Sequence, residues 1–495
     1  MVRHSHKRRR FTTSPVYPFT DYAAQGETIP EVTVNIQNSA SPPSIHQSSQ
    51  PPPPSPMPPN HNTLISYPPN MPPRPATWIQ ILDRPPICHE LFAYLSPASL
   101  FRFARTCKWA RDAATMYCKT AFDIDVILHR FFLHPLAFRA LQASTGTLIS
   151  GSTALQLLNR TQYRSSDLDL YTHPGYAKEI GLWLVRCNNY HYVTHRGGVQ
   201  IPFNDVQCIE WSPSRTTSPQ SDDDDGEYPY SGLHDVYCFQ KTSADGKVVR
   251  VQIMSSYNTL MECFMAFHSS TSRYYISHRT LEHLCAACVM NFIAFDAAYS
   301  LYPRATFEQH LNLALTIDSY NDQRCVAKYA RRGWRTAGNF WPQDEYTTAL
   351  FSINEQRFVS DDLCWKLNLD VKRLPRKPRL SPRSEAFPWD PASITSWTLH
   401  TTTCSPWKVA PKFMLVKTPV FRFTYMCATD TMRDTLSTFG NQQGLLQWRR
   451  VDERETRVTM PADWSWYVSP CVRFRTTIDH SRWDSMVPVI LDSIR

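Results

Sequence analysis

Nowhere in this 495-residue chain is there a run of about 18 apolar residues, so no segment reads as a bilayer-spanning helix. The opening "MVRHSHKRRR" also lacks an apolar stretch behind it and runs straight into polar, proline-rich sequence, which is not the pattern of a secretory signal. The 14 cysteines have no repeating spacing and fall mostly within apolar runs. That is how reduced core residues of a cytosolic or nuclear protein look, and disulfides are not expected. The Asn159-Arg160-Thr161 sequon then has no glycosylating environment. Glycine is scarce, 14 against 39 prolines, but many prolines precede residue 80, so their excess describes a tail and not the fold. No internal repeat stands out. Together these absences predict a soluble intracellular protein, cytoplasmic or nuclear, with no membrane partner.

What is present supports packed domains. Hydrophobic residues make up 42% of the chain, with Trp 14, Tyr 23 and Phe 25, and the length suits two or three domains. The formal charge of +9 is concentrated in two places. Residues 1–10 hold Arg3, Lys7, Arg8, Arg9 and Arg10, and "VKRLPRKPRLSPR" holds Lys372, Arg373, Arg376, Lys377, Arg379 and Arg383. These eleven charges exceed the whole surplus, so the rest of the chain is near neutral and a broad nucleic-acid groove is not indicated. "KRRR" reads either as a nuclear-import tag or as a solvated end.

The pattern along the chain predicts an α+β protein in five stretches. Residues 1–75, with "SPPSIHQSSQPPPPSPMPPN", form a disordered Pro-rich tail. Residues 78–122 form a small helical module in which Ser96 is an N-cap and Pro97 the first helical residue. Residues 125–370 alternate strand and helix, with a hairpin in "HDVYCFQKTSADGKVVRVQIMSS" turning at Asp245-Gly246 and a buried helix in "LEHLCAACVMNFIAFDAAYSL". Residues 371–394 read as a basic, Pro-rich linker. Residues 395–495 read as a small β-rich region, with strands in "FMLVKTPVFRFTYMC" and "WYVSPCVRFRTTI".

The helical module, "PPICHELFAYLSPASLFRFARTCKWARDAA", resembles an F-box through Pro86, Glu90, Leu91, Leu95, the Ser96-Pro97 turn, Leu100, Phe103, Cys107 and Trp109. Arg84 stands before Pro85 where the family usually has Leu-Pro. The resemblance implies docking onto the small adaptor subunit of a cullin-type ubiquitin ligase. A module this short leaves an apolar stripe for a partner, and Leu91, Leu95, Leu100 and Phe103 are the candidates.

The chemistry-bearing stretch is "TLISGSTALQLLNRTQYRSSDLDLYTH", residues 147–173. In a strand, residues two apart face the same way, so Asp167 and Asp169 project together while Leu168 and Leu170 face the other side. Paired carboxylates repel unless a cation or proton lies between them, and Mg²⁺ is the usual cation where phosphates are the substrate. Gly151 permits close backbone approach, and Ser152 and Thr153 begin a helix whose free N–H groups favour an anion. The set is either a phosphate-and-metal site or a strand–helix–strand unit with surface aspartates. Strand, Gly-Ser, helix and Ser-Asp-x-Asp in this order resemble the nucleotidyltransferase superfamily of polymerase-β-like folds. The resemblance implies Mg²⁺ held by Asp167 and Asp169 and nucleotide phosphates held by Gly151, Ser152 and Thr153. The family usually adds a third carboxylate from a later strand. Here the inward position of "KVVRVQIMSS" holds Gln252, with Arg250 two residues back, and neither is an anionic ligand or general base. Glu262, ten residues on, is the alternative third acid.

Weaker signals carry bland readings. "SDDDDGEYPYSG" reads as a solvated loop, and His283, Cys285 and Cys288 in "HLCAAC" read as a core helix and not half a zinc site. His191 and His195 read as edge-strand surface. The continuation "MNFIAFDAAYSLYPRATFEQH" is similar to fungal proteins that pair such a domain with an F-box-like start. Two functions follow as expectations: an F-box-type adaptor whose nucleotidyltransferase-like domain is degenerate, or an active Mg²⁺-dependent nucleotidyltransferase using NTP.

Overall fold

The structure, a computed structural model, describes residues 81, 84–163, 166–194, 201–208, 232–243, 245–266, 287–313, 327–337, 344–359, 361–374, 390–401, 409–418, 420–452 and 480–494. The tail at 1–75, the aspartate run at 222–225, His195, His283, Cys285 and "WYVSPCVRFRTTI" lie outside the described residues.

Three helices come first: α1 (Pro85–Tyr94), α2 (Pro97–Ala104) and α3 (Lys108–Ala121). Ser96 caps α2 as its sequence predicts: its hydroxyl accepts from the Ser99 N–H at 3.1 Å, and Pro97 takes the position that needs no donor. The three helices close on Phe92, whose ring lies 5.5 Å from both Phe103 and Tyr117. Arg160 then fastens this module to the rest. Its guanidinium donates to Phe92 O at 2.8 Å, to Leu95 O and to the Tyr117 hydroxyl at 3.0 Å. Phe92 O and Leu95 O lie at the C-terminus of α1, where a cation is favoured, and Phe92 O also accepts from the Leu95 N–H at 3.3 Å.

An alternation follows: α4 (Ile124–Leu128), α5 (Pro135–Thr145), β1 (Leu148–Ser150), α6 (Gly151–Asn159), β2 (Leu168–Thr172), α7 (Ala177–Asn188) and β3 (His191–Val193). The hairpin β4 (Leu233–Thr242) and β5 (Val248–Ser256) turns at Gly246, φ 77°. After α8 (Leu260–Ala266) come β6 (Asn291–Ile293) and β7 (Ala297–Ser300), then the parallel pair β8 (Leu311–Leu313) and β9 (Arg335–Ala337). Next are α9 (Glu345–Phe351), β10 (Gln356–Phe358) and β11 (Trp365–Asn368).

Eight strands form one mixed sheet in the order β11-β7-β6-β1-β2-β5-β4-β3. β2 and β5 run parallel at its centre and the other pairs are antiparallel. Residues alternate between two cores. Ile149, Leu168, Leu170, Val251, Ile253 and Ile293 pack on one side, with the apolar faces of α1–α7. Leu148, Tyr171, Met254, Phe292 and Tyr299 pack on the other, with α8.

Three expectations change. The apolar run at 281–301 is not a helix where it is described. Beyond a short helical turn at Ala287–Val289 it is the β6–β7 hairpin, every residue of both strands buried, and a strand apolar on both faces has no period to separate it from a buried helix. The end of the linker is also structured. Asp390 caps a turn at Pro391–Ile394, and Asp390 and Ala392 are buried. Finally, the last stretch is not β-rich among its described residues. Beside β12 (Ser396–Thr401), β13 (Val409–Lys412), β14 (Met414–Val416) and β15 (Tyr425–Cys427) it carries the 23-residue α10 (Asp430–Asp452), α11 (His480–Asp484) and α12 (Val487–Ile494). β12 pairs with β10 from before the linker, so the stretch is built into the body.

The modules also share their core. Trp365 on β11 meets Phe101 of α2 at 5.5 Å and Phe122 at 5.7 Å, and each such buried ring is worth about 2–3 kcal/mol. Among the described residues no helix is long and apolar enough to cross a membrane.

Candidate functional site at the Gly151 corner

β1 ends at Ser150, and the chain turns into α6 at Gly151 with φ +64°. Glycine is required twice over. That φ disfavours a side chain, and a Cβ here would lie 2.3 Å from Asp169 Oδ2. The carboxylate of Asp169 is therefore packed against the helix start, and the strand and the Gly-Ser turn meet as the sequence spacing predicts.

Strand register sets the other neighbours. Ser150 pairs with Asp169, Asp169 with Gln252, and Gln252 with Cys238. Directly paired residues on adjacent strands share a face, so Ser150, Asp169, Gln252 and Cys238 form one row. The strand position beside Asp169 is thus filled by Gln252, as read from the sequence. Glu262 does not replace it. A Cβ on Gly232 would lie 2.5 Å from Glu262 Cγ, which places Glu262 beside the start of β4. There Leu233 pairs with Ser256, four residues beyond Gln252, or about 13 Å along the strand. Asn258 donates to Glu262 Oε2 at 3.1 Å, and burial pushes the Glu262 carboxyl up to about 7.

Asp169 is only 5% exposed, and its Oδ1 is buried without a hydrogen-bond partner. Burial first, and the charge of Asp167 second, push its carboxyl up to about 7, while the charge of Lys328 pulls it down. The same two aspartates act on Cys238: burial, then Asp167 and Asp169, push its thiol up to about 12.

The nucleotide-binding candidates are not open to solvent. Gly151, Ser152 and Thr153 are all buried. Thr153 spends its hydroxyl on Asp167 O at 3.2 Å, so it holds the Asp-x-Asp backbone against α6. Ser166, just before, receives Gln156 Nε2 at 3.0 Å and Arg130 Nη2 at 3.4 Å. Arg130 and Lys328 carried no local motif in the sequence, and only the fold brings them here.

This donor set is poorer than the three carboxylates that the resemblance implies for Mg²⁺. A hard divalent cation asks for several oxygen ligands, and the row offers an amide where a third carboxylate would stand. Among the described residues no three His, Cys, Asp or Glu side chains gather where they could hold a metal. Cys288 is buried and its N–H donates to Asn312 Oδ1 at 3.2 Å, while His191 lies exposed on the edge strand β3.

The partner-binding candidates separate as well. Leu100 is 0% exposed in the core, and Leu95 and Phe103 are partly buried against it. Leu91 alone of the four stands out from the surface. α1 turns outward the row Ile87, Leu91 and Tyr94, at spacing i, i+4 and i+7, of which only Leu91 belongs to the F-box-like pattern.

Comparison of the whole chain with protein-family models, with curated proteins and with solved structures returns no match.

Proposed function

We propose that the chain is an F-box-type adaptor, with a degenerate nucleotidyltransferase-like domain, that recruits a target to a cullin-type ubiquitin ligase. The observation that carries this reading is the outer face of α1. Ile87, Leu91 and Tyr94 are 40%, 51% and 79% exposed, one above another, while Cys88 and Phe92 hold the opposite face in the core. An apolar row on a helix anchored from behind suits capture of a partner surface by a rigid element.

The degenerate half of the reading draws on Gln252 beside Asp169 and on the burial of Gly151, Ser152 and Thr153. The alternative, an Mg²⁺-dependent transferase using NTP, draws on the close packing of Gly151 and Asp169, a corner that suits phosphate binding next to an Asp-x-Asp strand.

The test uses the full chain and the purified ligase adaptor subunit. Capture of the chain by the adaptor, lost in Leu91→Asp and Tyr94→Asp, is the expected result. No capture by the unaltered chain ends the adaptor reading. In parallel, labelled NTP with Mg²⁺ is expected to yield no transferred label. Transfer that vanishes in Asp167→Asn and Asp169→Asn would put the transferase in its place.

A further inference from the structure

The charge of Lys328 acts on Asp169 from a segment far along the chain. Lys328 belongs to a short helical turn at 327–330, closed by Arg331 N–H donating to Ala327 O at 3.0 Å. One turn further, Arg332 lies with its guanidinium 3.9 Å from the centre of the Tyr163 ring. Tyr163 is itself fixed by its N–H donating to Gln156 Oε1 at 2.7 Å, and Gln156 reaches on to Ser166. Residues four apart on a helical turn share a face, so Lys328 is carried on the same side as Arg332, toward the chain that leads into Asp167 and Asp169. The far end of the segment is pinned too. Trp334 Nε1 donates to Thr306 O at 2.9 Å, Arg335 N–H donates to His310 O at 2.7 Å, and β9 pairs with β8. Lys328 is half-buried, and its charge acts on Asp169 against the repulsion from Asp167.

We propose that the ammonium group of Lys328 takes the place of a metal ion at the Asp167–Asp169 pair, making the corner an internal ion-pair latch that is indifferent to divalent cations. This rests on the reading of the corner as a degenerate transferase-like site. Two needs explain the lysine. A pair of aspartates, one of them buried with an unpartnered oxygen, holds its charge only with a cation nearby, and with Gln252 in the row the set is short of anionic ligands for a divalent ion. A lysine brings that charge on the chain itself, from the segment whose Arg332 rests on Tyr163.

The experiment titrates the full chain with Mn²⁺ alone, following free Mn²⁺ by electron paramagnetic resonance and melting temperature in parallel. The unaltered chain is expected to take up no Mn²⁺ at millimolar concentration and to melt alike in Mn²⁺ and in chelator. Lys328→Gln is expected to melt several degrees lower in chelator and to regain much of that loss in Mn²⁺, with uptake removed by adding Asp169→Asn. Lys328→Arg keeps the charge and should behave as the unaltered chain. In a double-mutant cycle, Lys328→Gln and Asp169→Asn together should cost several-fold less in the unfolding equilibrium than the product of the single effects. The proposal is overturned by Asp169-dependent Mn²⁺ uptake in the unaltered chain, by uptake in Lys328→Arg, or by a Lys328→Gln chain that matches the unaltered one in both readouts. If Lys328→Gln does not fold, the unaltered chain and Lys328→Arg still decide. Adaptor capture is measured separately and does not depend on any of these outcomes.

Discussion

The Gly151 corner and the outer face of α1 are opposites. At the corner, polar and charged groups are enclosed: Asp169 is packed on a glycine, and Ser152 and Thr153 are buried. On α1, apolar groups are presented: Tyr94 and Leu91 stand in solvent while a buried arginine holds the helix from behind. Burial of unpaired polar atoms and exposure of large apolar ones both cost free energy, so each is an informative departure from the usual partition. The difference teaches that at one of these places the fold encloses its polar groups, while at the other it leaves large apolar and aromatic side chains uncovered.

The sharpest way to break the enclosed region is Gly151→Val. A side chain at φ +64° that also strikes the Asp169 carboxylate should cost roughly 3–5 kcal/mol, read as a fall in the urea midpoint. A mild effect would mean that the corner is looser than its packing.

Next in size is Glu262→Gln. The Glu262 carboxyl has an ordinary value of 4.5 and is pushed to about 7 by burial, so the folded state holds this proton more tightly than the unfolded chain. Its contribution is complete below 4.5 and is lost as pH rises through about 7. The variant should therefore be more stable than the unaltered chain above that pH, by up to about 3 kcal/mol, and alike in acid. Parallel stability–pH curves for the two would refute the placement of Glu262.

Arg160→Met tests the joint between the regions. It removes the donors to Phe92 O, Leu95 O and the Tyr117 hydroxyl and should cost about 2 kcal/mol, with faster amide exchange confined to α1 and α2. Smallest of all, Tyr94→Asp should change stability by less than about 0.5 kcal/mol, because most of the side chain stands in solvent. A large loss there would mean that the exposed row is structural.

Legibility in the sequence followed the range of the forces involved. The α6 start, the Ser96 cap and the β4–β5 hairpin rest on neighbours a few residues apart, and their signals were local. The register that puts Gln252 beside Asp169 came from period-2 alternation, which one buried face suffices to fix. The β6–β7 hairpin was opaque because both its faces are buried, so hydrophobicity carried no period. Leu100 was misplaced for a related reason: a leucine on a short helix reads alike whether it faces its own core or a partner, and here the core took it. Lys328 and Arg130 were invisible because what brings the charge of Lys328 to bear on Asp169, and Arg130 to Ser166, is the path of the whole chain, which no window of residues encodes.

One guanidinium fixed to the last carbonyls of α1 has a mechanical consequence. A helix gripped at its end by the body behaves as a strut and not as a tether: it cannot swivel without giving up two hydrogen bonds at once. Whatever rests on its outer row inherits the bearing of the eight-stranded sheet, so reach and angle are set by the architecture, leaving little to diffusion.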